Sequence, residues 1–174
     1  MWLGGVLLGD RYLLNDDLTL WQKYEQTPFK NKYLALLDLL SRKKEFRNVF
    51  YLRCRKVRHL KFLLPPLSSL YIHTEDIGGG LFIQHGFSTV VSAKKIGRNC
   101  WINQQVTIGY TSEGSPTIGD NVRIGAGAIV VGKVEIGDNV TVGAGVTVNM
   151  NVPNNALVVS QKARIIENHL VRKQ

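Results

Sequence analysis

The chain is poor in the residues that mark several large classes of protein. Two of its 174 residues are cysteine, so a framework of disulfide bonds is not expected. No apolar run is long enough to span a bilayer. Residues 1–8 are apolar, but they lack the basic start of a secretory signal peptide. These absences favour a reduced, cytoplasmic protein.

Acidic residues are also scarce, and the resulting positive charge is unevenly spread. The chain has 22 Lys and Arg against 13 Asp and Glu, and 13 of the basic residues lie in residues 1–70. One interpretation is a solvated helix face. Another is attraction to an anionic partner, such as a phosphorylated cofactor, a lipid-linked sugar or a membrane surface. Nucleic acid is the weakest candidate, because no recognised nucleic-acid motif accompanies the basic residues.

Aliphatic residues recur at every sixth position over the second half of the chain, with one interruption. The series consists of Ile96, Ile102, Ile108, Ile118, Ile124, Val130, Ile136, Val142 and Val148. Neither the 3.6-residue period of a helix nor the two-residue alternation of a strand produces this spacing. Hexapeptide repeats do, and they predict a parallel β-helix, a prism whose three-sided coils stack about 4.8 Å apart around the aliphatic residues.

The repeat is looser before Ile96. A slip of one residue between Ile83 and Val90 restores the phase of the later repeats. A second series of apolar residues lies four positions after the first, and we expect its members Leu81 and Phe87 to point inward as well.

A larger interruption separates Ile108 from Ile118, which are ten residues apart rather than a multiple of six. Residues 111–116 have the sequence Thr-Ser-Glu-Gly-Ser-Pro, a composition typical of loops. Insertions in regular repeats map to loops that are often on the binding face. The sequence therefore predicts that a loop leaves the prism here.

The first part of the chain lacks the repeat and has helical spacing of apolar residues. We predict helices over residues 16–25, 33–40 and 45–62, ending before the helix-stopping pair Pro65-Pro66. Such helices would cover the open end of the prism, which is otherwise an exposed sheet edge.

The predicted fold is thus mainly β, a parallel β-helix with an N-terminal α-helical cap. We expect a helical region over residues 1–70, the β-helix over 71–160 and a C-terminal tail over 161–174.

One stretch of the repeat resembles a known active site. The sequence Ile83-Gln84-His85-Gly86 is similar to the catalytic segment of serine acetyltransferases and of related polysaccharide O-acetyltransferases. The likeness spans roughly residues 72–166 and includes the stretches 90–91, 96–97, 106–109, 116–120, 124–128, 142–145, 152–153 and 163–166. The resemblance implies a left-handed β-helix, a homotrimer and acetyl-coenzyme A (acetyl-CoA) as co-substrate.

In that family the histidine that matches His85 is the general base. It takes a proton from an acceptor hydroxyl as the oxygen attacks the thioester of acetyl-CoA. His73 is the main competitor for this role, and we expect His59 and His169 to be surface residues. The four histidines lack the close-spaced pair of the zinc enzymes built on this prism, so no metal is expected.

The resemblance also implies a cofactor site in a groove between neighbouring prisms. The pantetheine arm would lie along Gly109, Tyr110, Ala126, Gly127, Ala144 and Gly145. Lys162 and Arg164 would meet the phosphates of the cofactor. For the glycines, the geometry of the prism corners is an alternative explanation.

The chain departs from serine acetyltransferases at three positions. Where serine acetyltransferases have an Asp immediately before the catalytic His, this chain has Gln84. Where they have an Arg-His pair in the loop, this chain has Gly-Ser at residues 114–115. The position of the carboxylate that orients the catalytic His in those enzymes is occupied by Tyr71 in this chain. A shifted alignment would place Glu75 or Asp76 there instead. The acceptor pocket therefore does not look built for free serine.

Residues 162–164, Lys-Ala-Arg, are similar to an ending found in acetyltransferases of colanic-acid and other exopolysaccharide pathways. The expected function is an acetyl-CoA-dependent O-acetyltransferase that modifies a sugar or polysaccharide precursor. Its basic N-terminal segment would be available for contact with a membrane or a lipid-linked sugar. The alternatives are a serine O-acetyltransferase of cysteine biosynthesis and a non-catalytic β-helix scaffold.

Overall fold

The computed structural model describes residues 11–161, in which three α-helices and a 3₁₀-helix precede a parallel β-helix. The predicted phosphate-binding residues Lys162 and Arg164, together with His169 and nearly all of the tail 161–174, lie outside the described residues. Within residues 11–161, every helix is too short or too polar to cross a bilayer.

The β-helix consists of short strands arranged in three parallel sheets. Sheet I contains β1 (Leu70–Ile72), β3 (Thr89–Val91), β6 (Thr107–Gly109), β9 (Ile129–Val131) and β12 (Thr147–Val148). Sheet II contains β4 (Lys95–Ile96), β7 (Thr117–Ile118) and β10 (Glu135–Ile136). Sheet III contains β2 (Phe82–Ile83), β5 (Trp101–Ile102), β8 (Arg123–Ile124), β11 (Thr141–Val142) and β13 (Leu157–Val158).

The strand register confirms the six-residue repeat as the basis of the fold. In sheet III, Ile83, Ile102, Ile124 and Val142 stack in one column, and all four are buried. Burying each such side chain stabilises the prism by roughly 1.5–3 kcal/mol, which allows a narrow core to hold. The architecture agrees with the left-handed β-helix that the resemblance implies.

Asparagine side chains form a ladder at the corner between sheets II and III. Asn99, Asn121, Asn139 and Asn155 all have left-handed backbone conformations, with φ between 55° and 61°. Asparagine tolerates this conformation better than most residues. Their amides donate to one another in series, with N–O distances of 3.3, 3.1 and 3.0 Å.

The predicted phase of the chain at β3 is wrong by one residue. Val91 is fully buried and pairs with Ile108, whereas Val90 is only half-buried and pairs with Thr107. The parallel pairing of β3 with β6 decides the phase. Phe87, predicted to point inward, is exposed.

The helical part of the chain comprises α1 (Arg11–Glu25), α2 (Lys32–Arg42), α3 (Lys44–Arg53) and the 3₁₀-helix Arg55–Phe62. The single helix predicted over residues 45–62 is therefore wrong. The chain leaves helical geometry at Cys54, where φ is −104° and ψ is 62°. Val57 is buried beyond this break, so the apolar pattern continues through it and does not mark the end of α3.

Aromatic residues attach the helices to the first coil of the prism. The indole of Trp21 is buried, and its Nε1 donates a 2.8 Å hydrogen bond to the backbone oxygen of Leu81. Its ring lies 5.2 Å from that of Phe46 and 4.7 Å from that of Phe82, measured between centroids. Each such pair adds about 0.5–1.5 kcal/mol to the free energy of burial. The cap is therefore packed firmly on the prism.

Candidate active site

His85 lies in a prism corner that is longer than its counterparts. Eight residues separate the stacked positions Ile83 and Val91, whereas six separate Ile102 and Ile108 one coil further on. Residues 84–88 therefore contain two extra residues, and the chain bulges out between sheet III and sheet I.

The bulge has an unusual backbone conformation. His85, Gly86 and Ser88 have φ values of 63°, 51° and 53°, in the left-handed region that is uncommon for residues other than glycine. Two short turns hold this shape, because Gly86 donates to the oxygen of Gln84 and Phe87 donates to the oxygen of His85, at 2.8 and 2.7 Å. The imidazole of His85 is consequently exposed to solvent.

Gly86 anchors this corner against the helical cap. A Cβ at this position would lie 2.8 Å from Cγ2 of Ile83 and 3.2 Å from both Cγ of Glu45 and Cδ2 of Leu70. A side chain here would also be strained, given the positive φ. Glycine is thus required for α3 and β1 to close on the corner.

The same contact places the side chain of Glu45 against Gly86, the residue that follows His85. Glu45 lies in the first turn of α3 and is half-buried. Among residues 11–161, no hydrogen-bond donor or cation pairs with its carboxylate. The sequence contains no signal for this contact, because Glu45 precedes His85 by 40 positions and lies outside the repeat.

The carboxylate positions considered from the sequence lie elsewhere on the first coil. Tyr71 is an exposed residue of β1 that pairs with Val90. Glu75 forms an exposed ion pair with Arg55, with an N–O distance of 3.5 Å. Asp76 is exposed as well.

The competing histidine, His73, directly follows the last residue of β1. Nδ1 of His73 lies 3.0 Å from Oγ of Ser92, and the ring is exposed. His59 is exposed on the 3₁₀-helix, as expected. No group of three or more His, Cys, Asp and Glu side chains within residues 11–161 could hold a metal ion.

Four of the predicted cofactor residues lie on the same edge of the prism as His85. This edge, which we call the His85 edge, consists of residues 84–88, 103–106, 125–128 and 143–146. Its corners are hydrogen-bonded in succession, through Gln105 to Phe87, Gly127 to Gln104 and Gly145 to Ala126. Successive coils are about 4.8 Å apart, so the Ala126-Gly127 corner is roughly 10 Å from the His85 corner.

Gly127 and Gly145 leave open space on this edge. A Cβ on Gly145 would meet nothing within 4 Å, and one on Gly127 only the backbone nitrogen of Gly145 at 4.0 Å. Both have φ near 68°, but Gln105 occupies the equivalent turn position with φ of 58°. A side chain is therefore compatible with this turn.

Other glycines of the repeat behave differently. A Cβ on Gly119 would lie 2.4 Å from Oδ1 of Asp138, and one on Gly125 would lie 2.6 Å from the nitrogen of Ala144. These glycines are required by the stacking of the coils. The open glycines on the His85 edge instead leave room for an extended ligand against the backbone, as a pantetheine arm would need.

Gly109 and Tyr110 lie on the other edge of sheet I. Gly109 pairs with Val131 at the end of β6, and the exposed Tyr110 leads into the predicted loop. The loop is closed by two backbone hydrogen bonds between Thr111 and Gly114. The structure therefore divides the predicted cofactor residues between two edges of one prism.

A cavity of about 310 Å³ opens on sheet III beside the His85 edge. Its lining includes Trp101, Arg123 and Ala144, of which only Ala144 was predicted as a site residue. The Arg123 guanidinium lies 5.1 Å from the centroid of the Trp101 ring. The regular repeat hides this feature, because both residues are on the outward positions of their strands.

Comparison with known proteins gives consistent matches. Residues 115–149 match the family described as bacterial transferase hexapeptide (six repeats). A serine acetyltransferase of Synechococcus elongatus is 40% identical over 124 residues, covering 68% of this chain and 50% of the relative. One of Helicobacter pylori is 36% identical over 115 residues, covering 63% of this chain and 67% of the relative.

A solved structure is similar over most of the chain. The serine acetyltransferase of Neisseria gonorrhoeae in complex with serine superposes with a TM-score of 0.67 at 26% sequence identity, covering 88% of this chain and 67% of that protein. The chain spans about half the length of the Synechococcus relative.

Proposed function

Because the chain belongs to the family of hexapeptide-repeat transferases that includes the serine acetyltransferases, we propose that it transfers an acetyl group from acetyl-CoA to a hydroxyl oxygen. The observation that carries this proposal is the enlarged corner that presents His85 on the edge where Gly127 and Gly145 leave open space. A cytoplasmic location, expected from the sequence, belongs to the same proposal.

His85 acts as the general base in this mechanism. Its imidazole accepts the proton of the acceptor hydroxyl while that oxygen attacks the carbonyl carbon of the thioester. The same imidazolium then protonates the departing thiolate of CoA, so that no proton is left on the protein. A positioned base of this kind contributes about 10²–10⁴-fold to the rate. Direct transfer needs no covalent intermediate on the protein.

The cofactor site is formed by two copies of the chain. Ala126, Gly127, Ala144 and Gly145 line one wall, while Gly109 and Tyr110 lie on a different edge. A groove between neighbouring prisms of a homotrimer brings one copy's first edge against another copy's second edge. Lys162 and Arg164 meet the phosphates of the cofactor in this arrangement.

Two acceptors are considered. Serine is supported by the names of the similar proteins, one of which holds serine in its structure. A sugar hydroxyl is favoured by the side chains of this site, since Gln84, Tyr71 and Ser115 are neutral where serine acetyltransferases have charged residues that meet a free amino acid or orient the base.

Thiol release from acetyl-CoA, measured with serine and with a panel of sugars and nucleotide sugars, tests the proposal. His85→Ala should lower acceptor-dependent release by about 10²–10⁴-fold. His59→Ala, a change of the same residue type at an exposed position, should leave it unchanged. Full activity of His85→Ala would contradict the mechanism. The scaffold alternative predicts neither acetyl-CoA binding by calorimetry nor any turnover by the wild type.

A further inference from the structure

A second cavity lies outside the elements of the proposed mechanism. It has a volume of about 270 Å³ and opens between the 3₁₀-helix Arg55–Phe62 and strand β1. The helix contributes Arg55, Arg58 and Lys61 to its wall, and the first coil contributes Tyr71 and His73. Three cationic side chains thus converge on one small cavity.

The charge of this cavity is only weakly balanced. Glu75 is the one acidic residue in its lining, and it pairs with Arg55 at 3.5 Å while 80% exposed. Exposed pairs of this kind contribute little. Lys61 lies 5.6 Å from the centroid of the Tyr51 ring. In the described range, neither Arg58 nor Lys61 has a carboxylate partner. A bound anion would relieve the repulsion among these cations.

The cavity shares a wall with the His85 corner. Leu70 lines the cavity, and its Cδ2 lies 3.2 Å from the position of a Cβ on Gly86. The lining continues along β1 from Leu70 to His73, a distance of about 10 Å at the rise of a β-strand. A molecule with its anionic group among the cations would run along β1, past the exposed Tyr71, to reach the His85 corner.

From this placement we propose that the cavity binds a phosphate or pyrophosphate group of the acceptor. The acceptor is then a phosphate-bearing sugar, either nucleotide-linked or lipid-linked, rather than free serine, which carries no group for this cavity. Arginine and lysine are the side chains that proteins use to hold phosphate oxygens. This inference rests on the proposed function, because it names the substrate class of the same site.

Calorimetric titration of the full chain with uridine diphosphate, and separately with pyrophosphate, tests the site directly. Arg58→Gln and Lys61→Gln should each raise the dissociation constant for uridine diphosphate at least tenfold. Lys56→Gln is the matched control, because Lys56 is on the same 3₁₀-helix but does not line the cavity, and it should change the constant less than twofold. Unchanged thermal unfolding would show that each variant is folded.

Four outcomes would overturn the inference. The first is that the wild type binds neither probe, and the second is that Lys56→Gln loses as much affinity for uridine diphosphate as the two test variants. The third is that Arg58→Gln and Lys61→Gln weaken the binding of acetyl-CoA only. The fourth is that the wild type binds phosphatidylglycerol vesicles and uridine diphosphate does not compete with them. The last two would assign the cations to the co-substrate or to a lipid surface.

The inference and the proposed function can fail separately. His85→Ala should still bind uridine diphosphate with the affinity of the wild type. If the probe binds but no acceptor is acetylated, the anion site stands and the proposed function fails. If acetyl transfer occurs while neither probe binds, the function stands and the anion site fails.

Discussion

Asp17 and Arg53 form a buried ion pair between α1 and α3, with Nε of Arg53 donating to Oδ2 of Asp17 at 2.8 Å. Arg53 also donates to the backbone oxygens of Ile77 and Gly78, and the backbone nitrogen of Leu81 donates to Asp17. Burial raises the pKa of Asp17, and the hydrogen bond and charge of Arg53 oppose that rise. The pair ties two helices to the first coil of the prism.

Asp17→Asn should destabilise the protein strongly. The substitution keeps the shape of the side chain but leaves the guanidinium of Arg53 buried without a counter-charge, which costs roughly 3–5 kcal/mol of unfolding free energy. Urea unfolding followed by circular dichroism measures the effect. Asp38→Asn breaks the pair with Arg42 one turn further along α2, and this should cost no more than about 0.5 kcal/mol. Equal stability of Asp17→Asn and the wild type would show that the buried pair is not required.

Glu45→Gln should lower kcat for acetyl transfer by about 10–100-fold and leave KM for acetyl-CoA near its wild-type value. Cγ of Glu45 packs on Gly86, and its carboxylate has no other partner within residues 11–161, so we expect the carboxylate to orient the imidazole of His85; Gln keeps the packing and removes only the charge. Steady-state kinetics with both substrates measure the split. Glu135→Gln, an exposed change on sheet II, is the control. A rise in KM alone would assign Glu45 to substrate binding instead.

Gly145→Asn should weaken acetyl-CoA binding at least tenfold with little loss of stability. Asparagine accepts the left-handed φ of 67°, and its Cβ would meet no protein atom within 4 Å, so the side chain fills only the open space on the His85 edge. Calorimetric titration with CoA gives the affinity. In contrast, Gly119→Ala should reduce stability, because its Cβ would overlap with Asp138. Unchanged CoA affinity in Gly145→Asn would remove this residue from the cofactor site.

Burial raises the pKa of the Cys100 thiol from 9.0 to about 12, because the charged thiolate is poorly solvated in the prism. Below pH 9 the thiol is neutral in the folded and unfolded chains, so it adds no pH dependence. Between pH 9 and about 12 only the unfolded chain loses this proton, and the stability of the fold falls. Unfolding free energies from pH 7 to 10 should therefore decrease more steeply in the wild type than in Cys100→Ala. Parallel curves for the two proteins would contradict the shift.

The regular part of the prism could be predicted from the sequence because every coil must bury aliphatic side chains at the same positions. Ile124 and Val142 are three hexads apart and occupy one inward column with Ile102, once the four extra residues of the loop between Ile108 and Ile118 are set aside. The loop after Gly109 was predictable for the same reason, since it breaks the period where Thr111 and Gly114 close a turn.

The shape of the His85 corner could not be predicted in the same way. Thirteen residues separate Ile83 from Ile96, one more than two hexads, and this indicates a slip of one residue. In the structure Val91 lies eight positions after Ile83, and Ile96 lies five positions after Val91. The pairing of β3 with β6 sets this division. The contact of Glu45 with Gly86 depends on how α3 packs on the prism. The repeat gives no information about that packing, because α3 lies outside it. The roles of the site residues stay predictions.

The packing of Gly86 against Glu45 and Leu70 has a consequence for how the protein responds to heat. The corner that presents His85 is held by α3 as well as by the stacked coils, so it keeps its shape only while the helix rests on it. The proposed activity would then depend on the packing of α3 against Gly86 as well as on the stability of the β-helix.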